Sequence, residues 1–292
     1  MLIILLLTLA LVPILIYASD PEDPSVLVHP RDGVVMIYIP AGPFTMGTNT
    51  GWKDASPEHQ VELPGFYIDK YEVTISQFRR FVADGGLTDP RLYQTEQGRI
   101  IFQNEGFQPR FWPEQLNQED NLPMYGVRYF EALAYCKWAG KTLPTAQQWE
   151  KAARGTDGRL YPWGNEWDSS RVNALEDAVA SGVAGDYPKL PAPVDAFPAG
   201  ASPYGVMQMA GNVLEWTLET MAAYPGNTNP YAFYPHFHRA FVPELRGGSW
   251  QLDRRFTNTT FRTAQYESIS HRTFGFRCAC EEIQEIEEVG DE

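Results

Sequence analysis

The chain is poor in cysteine and in positive charge, and each shortage closes off a class of function. Its 292 residues hold three cysteines, and 23 Lys and Arg stand against 37 Asp and Glu, for a formal net charge of -14. Phosphate binding needs a basic footprint, so no nucleic-acid partner is expected. The first cysteine is Cys136, which excludes a lipid-modified cysteine beside the apolar N-terminal run. From Trp250 to His271 there is no cysteine at all. Internal repeats are lacking, and after Arg154 no helical period remains, only turns and short strands out to Cys280.

What is present is apolar and finely punctuated. The chain is 43% hydrophobic and 13% aromatic, enough for one large core or two modest ones, and its 24 Gly and 23 Pro are spread as turns between short elements. Met1 to Ala18 is uncharged and about long enough to span a bilayer core, although Pro13 would bend it. Ile16 suits a signal-peptidase site poorly and no base precedes the run, so a retained transmembrane helix is favoured over a cleaved signal. Residues 19–33, with Pro21, Pro24 and Pro30, read as a polar tether, residues 34–280 as the folded body and residues 281–292 as an acidic tail. That tail carries seven acids and no base, half of the net charge, and reads as a solvated end or a docking strip for a basic partner.

Within the body, Val34 to Met46 is a strand-like run broken by Pro40-Ala41-Gly42, and Gly65 to Val73 is a second strand candidate. Thr74-Ile75-Ser76-Gln77 fits a capping box opening a helix with Phe78, Phe81 and Val82 on one face. Phe130, Leu133, Ala134 and Lys137 follow helical spacing up to Gly140. Thr145-Ala146-Gln147-Gln148 caps a third helix with Trp149, Ala152 and Ala153 as its buried stripe. The class implied is α+β with much irregular structure.

Ordered blocks then carry a resemblance. IPAGPFTMG (Ile39 to Gly47), YIDKYEVTISQF (Tyr67 to Phe78), AYCKWAGKTLPTAQQWEKAARG (Ala134 to Gly155), YPWGNEW (Tyr161 to Trp167), YGVMQMAGNVLEWT (Tyr204 to Thr217), RGGSW (Arg246 to Trp250) and GFRCA (Gly275 to Ala279) occur in the order of the formylglycine-generating-enzyme, or sulfatase-modifying-factor, family. The chain resembles that family over roughly Val34 to Cys280. The resemblance implies one compact domain, a variant of the C-type-lectin-like fold. It also implies a disulfide between Cys136 and Cys278, with Cys280 left over or replacing Cys278, and hence an oxidising compartment.

The family's enzymes bind copper through two cysteines after the RGGS block and oxidise a substrate cysteine with oxygen. Their places fall here on Leu252 and Thr257, neither a soft thiolate, so no copper is expected and no catalytic residue is assigned. Calcium is the cofactor the resemblance leaves open, with Asn173, Ala174 and Asp186 at one site and Gln208, Gly211, Val213 and Glu215 at another. His236 and His238 in YPHFHR read as a surface loop rather than a metal site, because Pro235 opposes a regular strand. Gly247-Gly248-Ser249-Trp250 lacks the strand-turn-helix pattern of a nucleophile elbow. The insert Met221 to Leu245 offers Tyr224, Tyr231, Phe233, Tyr234 and Phe237 as partner-binding aromatics. Together these point to a membrane-anchored pseudoenzyme outside the cytoplasm, periplasmic or extracellular, serving as a docking subunit of an envelope membrane protein complex. The alternatives are an oxidoreductase or other enzyme using the family cleft, and a carbohydrate or peptide binder.

Overall fold

A computed structural model describes residues 19–20, 23–93, 95, 98–100, 103, 108–175, 190–228 and 241–282. The expected membrane span Met1 to Ala18 and most of the acidic tail lie outside the described residues. Among the described residues no helix is long and apolar enough to cross a membrane.

One sheet joins the two ends of the chain. It has five strands in the order β1 (Ser19–Asp20), β2 (Asp23–Val28), β3 (Val35–Ile39), β6 (Phe66–Asp69) and β11 (Ala279–Cys280). All its pairings are antiparallel, and Ile68 of β6 faces Ile37 on one side and Ala279 on the other. Residues 23–28, expected within a tether, are instead a sheet strand. The reason is the Val26-Leu27-Val28 run, which pairs with Val35 to Ile37 and buries Leu27 against Met36 and Cys280.

Between these strands, β4 (Gly42–Met46) and β5 (His59–Leu63) form a separate two-stranded hairpin. A second sheet runs β10 (Phe274–Gly275), β7 (Leu214–Thr220), β8 (Pro243–Arg246) and β9 (Arg262–Ala264), with β10 parallel to β7. The elements are α and β mixed, with long irregular connections.

The helices begin where their caps predict. α1 (Ile75–Ala83) and α4 (Ala146–Arg154) each open on a complete capping box, Thr74 with Gln77 and Thr145 with Gln148. A short α2 (Trp112–Gln115) precedes α3 (Tyr129–Trp138). α1 buries Ile75, Phe78 and Phe81, and the Phe78 ring lies 5.1 Å from Phe81 and 5.9 Å from Tyr135 of α3. α3, expected from the helical spacing of Phe130, Leu133, Ala134 and Lys137, is buried nearly all round, since α1 packs on one side of it and β7 on another. Cys136 of α3 and Cys278 form a disulfide that closes a separation of 142 residues. A loop of that length contributes on the order of 4 kcal/mol.

Tight turns fix the loop after β8. Gly248 has φ +77°, and a Cβ there would lie 2.4 Å from the Phe256 carbonyl oxygen, so no larger residue fits.

One buried acid makes the fold pH-sensitive. Glu131 is fully buried; one carboxylate oxygen accepts from the Arg128 amide at 2.8 Å and the other has no partner. Burial pushes this carboxyl up to about 7. The native state therefore holds a proton that the unfolded chain releases near 4.5, and stability falls as pH rises from there through about 7. Glu131→Gln should flatten this dependence in urea titrations at pH 5 to 8, with the variant gaining on the parent at the high end. An unchanged slope would count against it.

Candidate functional site

A buried ladder of charge runs from α4 to the second sheet. On α4, Glu150 accepts from the Gly47 amide at 2.7 Å and from Arg154 at 2.9 Å on one oxygen, and from Arg246 at 2.8 Å on the other. Glu244 and Arg246 lie two apart on β8 and so share a face, where they pair directly. Arg262, opposite Arg246 on β9, closes the ladder on Glu244 and donates to the Asp54 carbonyl at 3.1 Å. Burial opposes the charge of Glu244, yet Arg246 and Arg262 hold its carboxyl below the usual range.

Tyr224 is seated on this ladder. Its hydroxyl accepts from Arg246 at 2.8 Å and donates toward Glu150 at 3.5 Å, while the Arg262 guanidinium lies 4.2 Å from its ring centroid. The His59 ring meets the Tyr224 ring at 4.7 Å, edge-on.

Above this floor opens a cavity of about 460 Å³, the size of a small-ligand site. Tyr224, Glu244, Arg262 and Met46 form its base. Its walls are β5 from His59 to Glu62, the first turn of α4, and Glu219 with Thr220 at the end of β7. Glu219 accepts from the Ala146 amide at 3.1 Å, and burial raises its carboxyl. Beside it, a cavity of about 410 Å³ is lined by Lys53, Ser56, Pro57 and Gly226 to Thr228.

Leu252, Thr257 and Glu215, expected at metal positions, are otherwise engaged. Leu252 packs half-buried against the main core, and its carbonyl accepts from the Leu175 amide at 3.0 Å. Thr257 is fully buried and its hydroxyl donates to the Asp253 carbonyl at 3.3 Å. Neither lines a described cavity and neither offers a thiolate, so these residues do not fit a copper centre.

Glu215, expected for calcium, accepts from Arg277 on both oxygens at 2.7 Å and from the Trp149 indole at 2.8 Å. Its counter-ion is a guanidinium that a cation would have to displace, so Glu215 as placed here does not fit a calcium ligand. At the other positions it is the N–H groups that are engaged. The Gln208 amide donates to the Pro193 and Ala196 carbonyls. Gly211 donates its amide to the Gly247 carbonyl, and Val213 donates its own to Glu72. Asn173 donates to Asn212 and to the Leu190 carbonyl, and Ala174 is buried against Val172 and Ala210. Asp186, Tyr231, Phe233, Tyr234, His236, Phe237 and His238 lie outside the described residues. Among the described residues no three His, Cys, Asp or Glu are placed to hold a metal ion.

Sequence reasoning missed the ladder. Glu150 and Arg246 appeared only as members of the blocks that carry the family resemblance, and their meeting across 96 positions has no local signal.

Residues 26–282 match the family described as "Sulfatase-modifying factor enzyme 1-like domain". Hercynine oxygenase of Mycolicibacterium smegmatis is 34% identical over 261 residues, covering 80% of this chain and 58% of that protein. Formylglycine-generating enzyme of Mus musculus is 29% identical over 305 residues, covering 91% of this chain and 81% of that enzyme. In shape, the chain is similar to PvdO from Pseudomonas aeruginosa, with TM-score 0.63 and 24% identity over 87% of this chain and 97% of that one. The chain thus spans under two thirds of the hercynine oxygenase it matches. The hercynine oxygenase and the formylglycine-generating enzyme are named as enzymes, which overturns the expectation of a non-catalytic docking subunit. Replacing one ligand pair removes one chemistry, and it leaves the rest of a domain free to support another.

Truncating Arg277 should expose how much rests on its pairing with Glu215. Arg277→Leu should cost about 3–5 kcal/mol, because it strands a buried carboxylate, and Arg277→Leu with Glu215→Leu should recover part of that loss. Denaturant midpoints decide it; a single variant as stable as the parent would contradict the buried pair.

Proposed function

Since the chain belongs to the sulfatase-modifying factor enzyme 1-like family, we propose that it is an oxidoreductase, or the substrate-binding part of one, and that its substrate sits in the cavity above Tyr224. The observation carrying this reading is the match to an oxygenase and to a formylglycine-generating enzyme. The cavity supports it by bringing two titratable side chains, His59 and Glu219, to one open space over a rigid floor.

The chain's own groups supply orientation and proton handling. Arg246 fixes the Tyr224 hydroxyl, so the floor presents one ring geometry to a substrate. Glu219, its carboxyl raised by burial, holds a proton to higher pH than an ordinary carboxylate and is suited to general acid work. No step runs through copper at Leu252 and Thr257. The C-type-lectin-like description of the fold belongs to the same proposal, and the buried Cys136–Cys278 disulfide supports placing the domain in an oxidising compartment.

Oxygen uptake with product mass analysis tests the reading, using a sulfatase-type cysteine peptide and hercynine, each with a thiol present. We expect turnover of one of them, cut about tenfold or more in Glu219→Gln. No oxygen-dependent product from either substrate with the full chain would overturn it.

A further inference from the structure

A basic feature stands out on the surface of this acidic chain, beside Tyr125. Phe111 is the N-cap of α2, and its ring lies directly on Gly126, where an added Cβ would be 2.3 Å from Phe111 Cδ2. That packing fixes the ring against the core, since the Tyr125 ring lies 6.3 Å from it and meets Trp250 at 6.1 Å. The Gln115 side chain holds α2 in the same place by donating to the Tyr125 carbonyl at 2.8 Å. Two guanidiniums share the Phe111 ring: Arg272 lies 5.0 Å from its centroid and Arg110 lies 5.6 Å from it.

Neither guanidinium makes an ion pair or a hydrogen bond among the described residues. In a chain of net charge -14, two cations from separate segments are thus left beside one ring with their donors unused. His271 supplies a third donor. The Thr273 backbone N–H can only donate, and it lies 3.4 Å from His271 Nδ1, with the Thr273 hydroxyl 2.7 Å from the same atom. Nδ1 is therefore the acceptor, and the neutral ring carries its proton on Nε2. Partial burial, then the charges of Arg272 and Arg110, hold this imidazole below its usual pKa, so both guanidiniums act on it uncompensated. The turn that carries it is fixed too: the Phe274 amide donates to the His271 carbonyl at 2.8 Å, and the Phe274 carbonyl accepts from Gly126.

A single guanidinium already matches the two oxygens of a carboxylate. Two guanidiniums with an added N–H suit a ligand with more oxygens and more charge. We propose that Arg110, Arg272 and His271 form a binding site for a tetrahedral dianion, the chemistry shared by sulfate, phosphate and phosphate monoesters. None of these residues lines the cavity above Tyr224, and the site stands whatever reaction that cavity supports. Binding and protonation are linked, because a dianion favours the imidazolium, so binding tightens as pH falls through the His271 midpoint.

NMR titration of the histidine-labelled full chain tests it, with His271→Gln to assign the signal and chloride holding ionic strength constant. Sulfate should raise the His271 midpoint by about half a pH unit or more. It should bind about tenfold weaker to Arg110→Gln and to Arg272→Gln. Both arginines are exposed, so their replacement leaves the core intact. Inorganic phosphate and methyl phosphate, both dianions at about pH 8, separate the sources: tighter binding of methyl phosphate assigns the site to esters, and tighter binding of the inorganic ion assigns it to the free anion. The proposal falls if chloride alone moves the His271 midpoint as far as sulfate does, if acetate binds as tightly as sulfate, or if either arginine variant binds sulfate like the parent.

Discussion

One buried guanidinium holds the two sheets and α4 together. Arg277 is fully buried, and each of its five N–H donors has an acceptor: Glu215 twice, and the carbonyls of Asp69, Lys70 and Met207. Removing such an ion from water costs several kcal/mol, and only this degree of satisfaction offsets it. Asp69 ends β6 in the first sheet, and Glu215 lies on β7 in the second. Through Glu215 the same contact reaches the Trp149 indole of α4. The position of α4 sets Glu150, and Glu150 sets Arg246 and Tyr224. The floor of the cavity thus inherits its geometry from a pair elsewhere in the fold.

A second buried cluster explains why the N-terminal strand belongs to the domain. Lys141 is paired with Asp32 at 2.6 Å and Asp69 at 2.8 Å, and His29 meets Asp32 at 3.0 Å. Asp69 also accepts from the Cys278 amide at 2.9 Å. The turn between β2 and β3 is therefore tied to the same β6 terminus that receives Arg277. By contrast, the β5 wall of the cavity includes exposed side chains and a strand edge free of described partners. At this cavity a fixed floor meets a more open rim, the arrangement a binding site needs if its ligand is to enter.

Legibility tracked the range of the interaction. Thr74 with Gln77 and Thr145 with Gln148 are three residues apart, and both helix starts were readable. The α3 helix was readable from its spacing, but its burial nearly all round was not, because its surroundings, α1 and β7, come from distant segments. Pro21, Pro24 and Pro30 suggested a tether, and the short apolar run Val26 to Val28 prevailed once β3 was there to pair with it. Leu252 and Thr257 lack a thiolate whatever the fold, yet the inference from a missing pair to a missing activity failed. A side chain's type states what it cannot do, whereas the cavity above Tyr224 depends on six separated stretches of chain.

By itself, then, the sequence determined the local elements, the family and the chemistry unavailable at Leu252 and Thr257, because caps, alternation and ligand atoms are properties of neighbouring residues or of one residue. Tertiary structure alone decided that Glu215 answers to Arg277, that Tyr224 stands on a buried charge ladder, and that β5, α4 and the end of β7 wall one cavity. Those facts arise from groups up to 208 positions apart, as with Arg277 and the Asp69 carbonyl, and the desolvation that makes such pairs obligatory exists only once the core has closed around them.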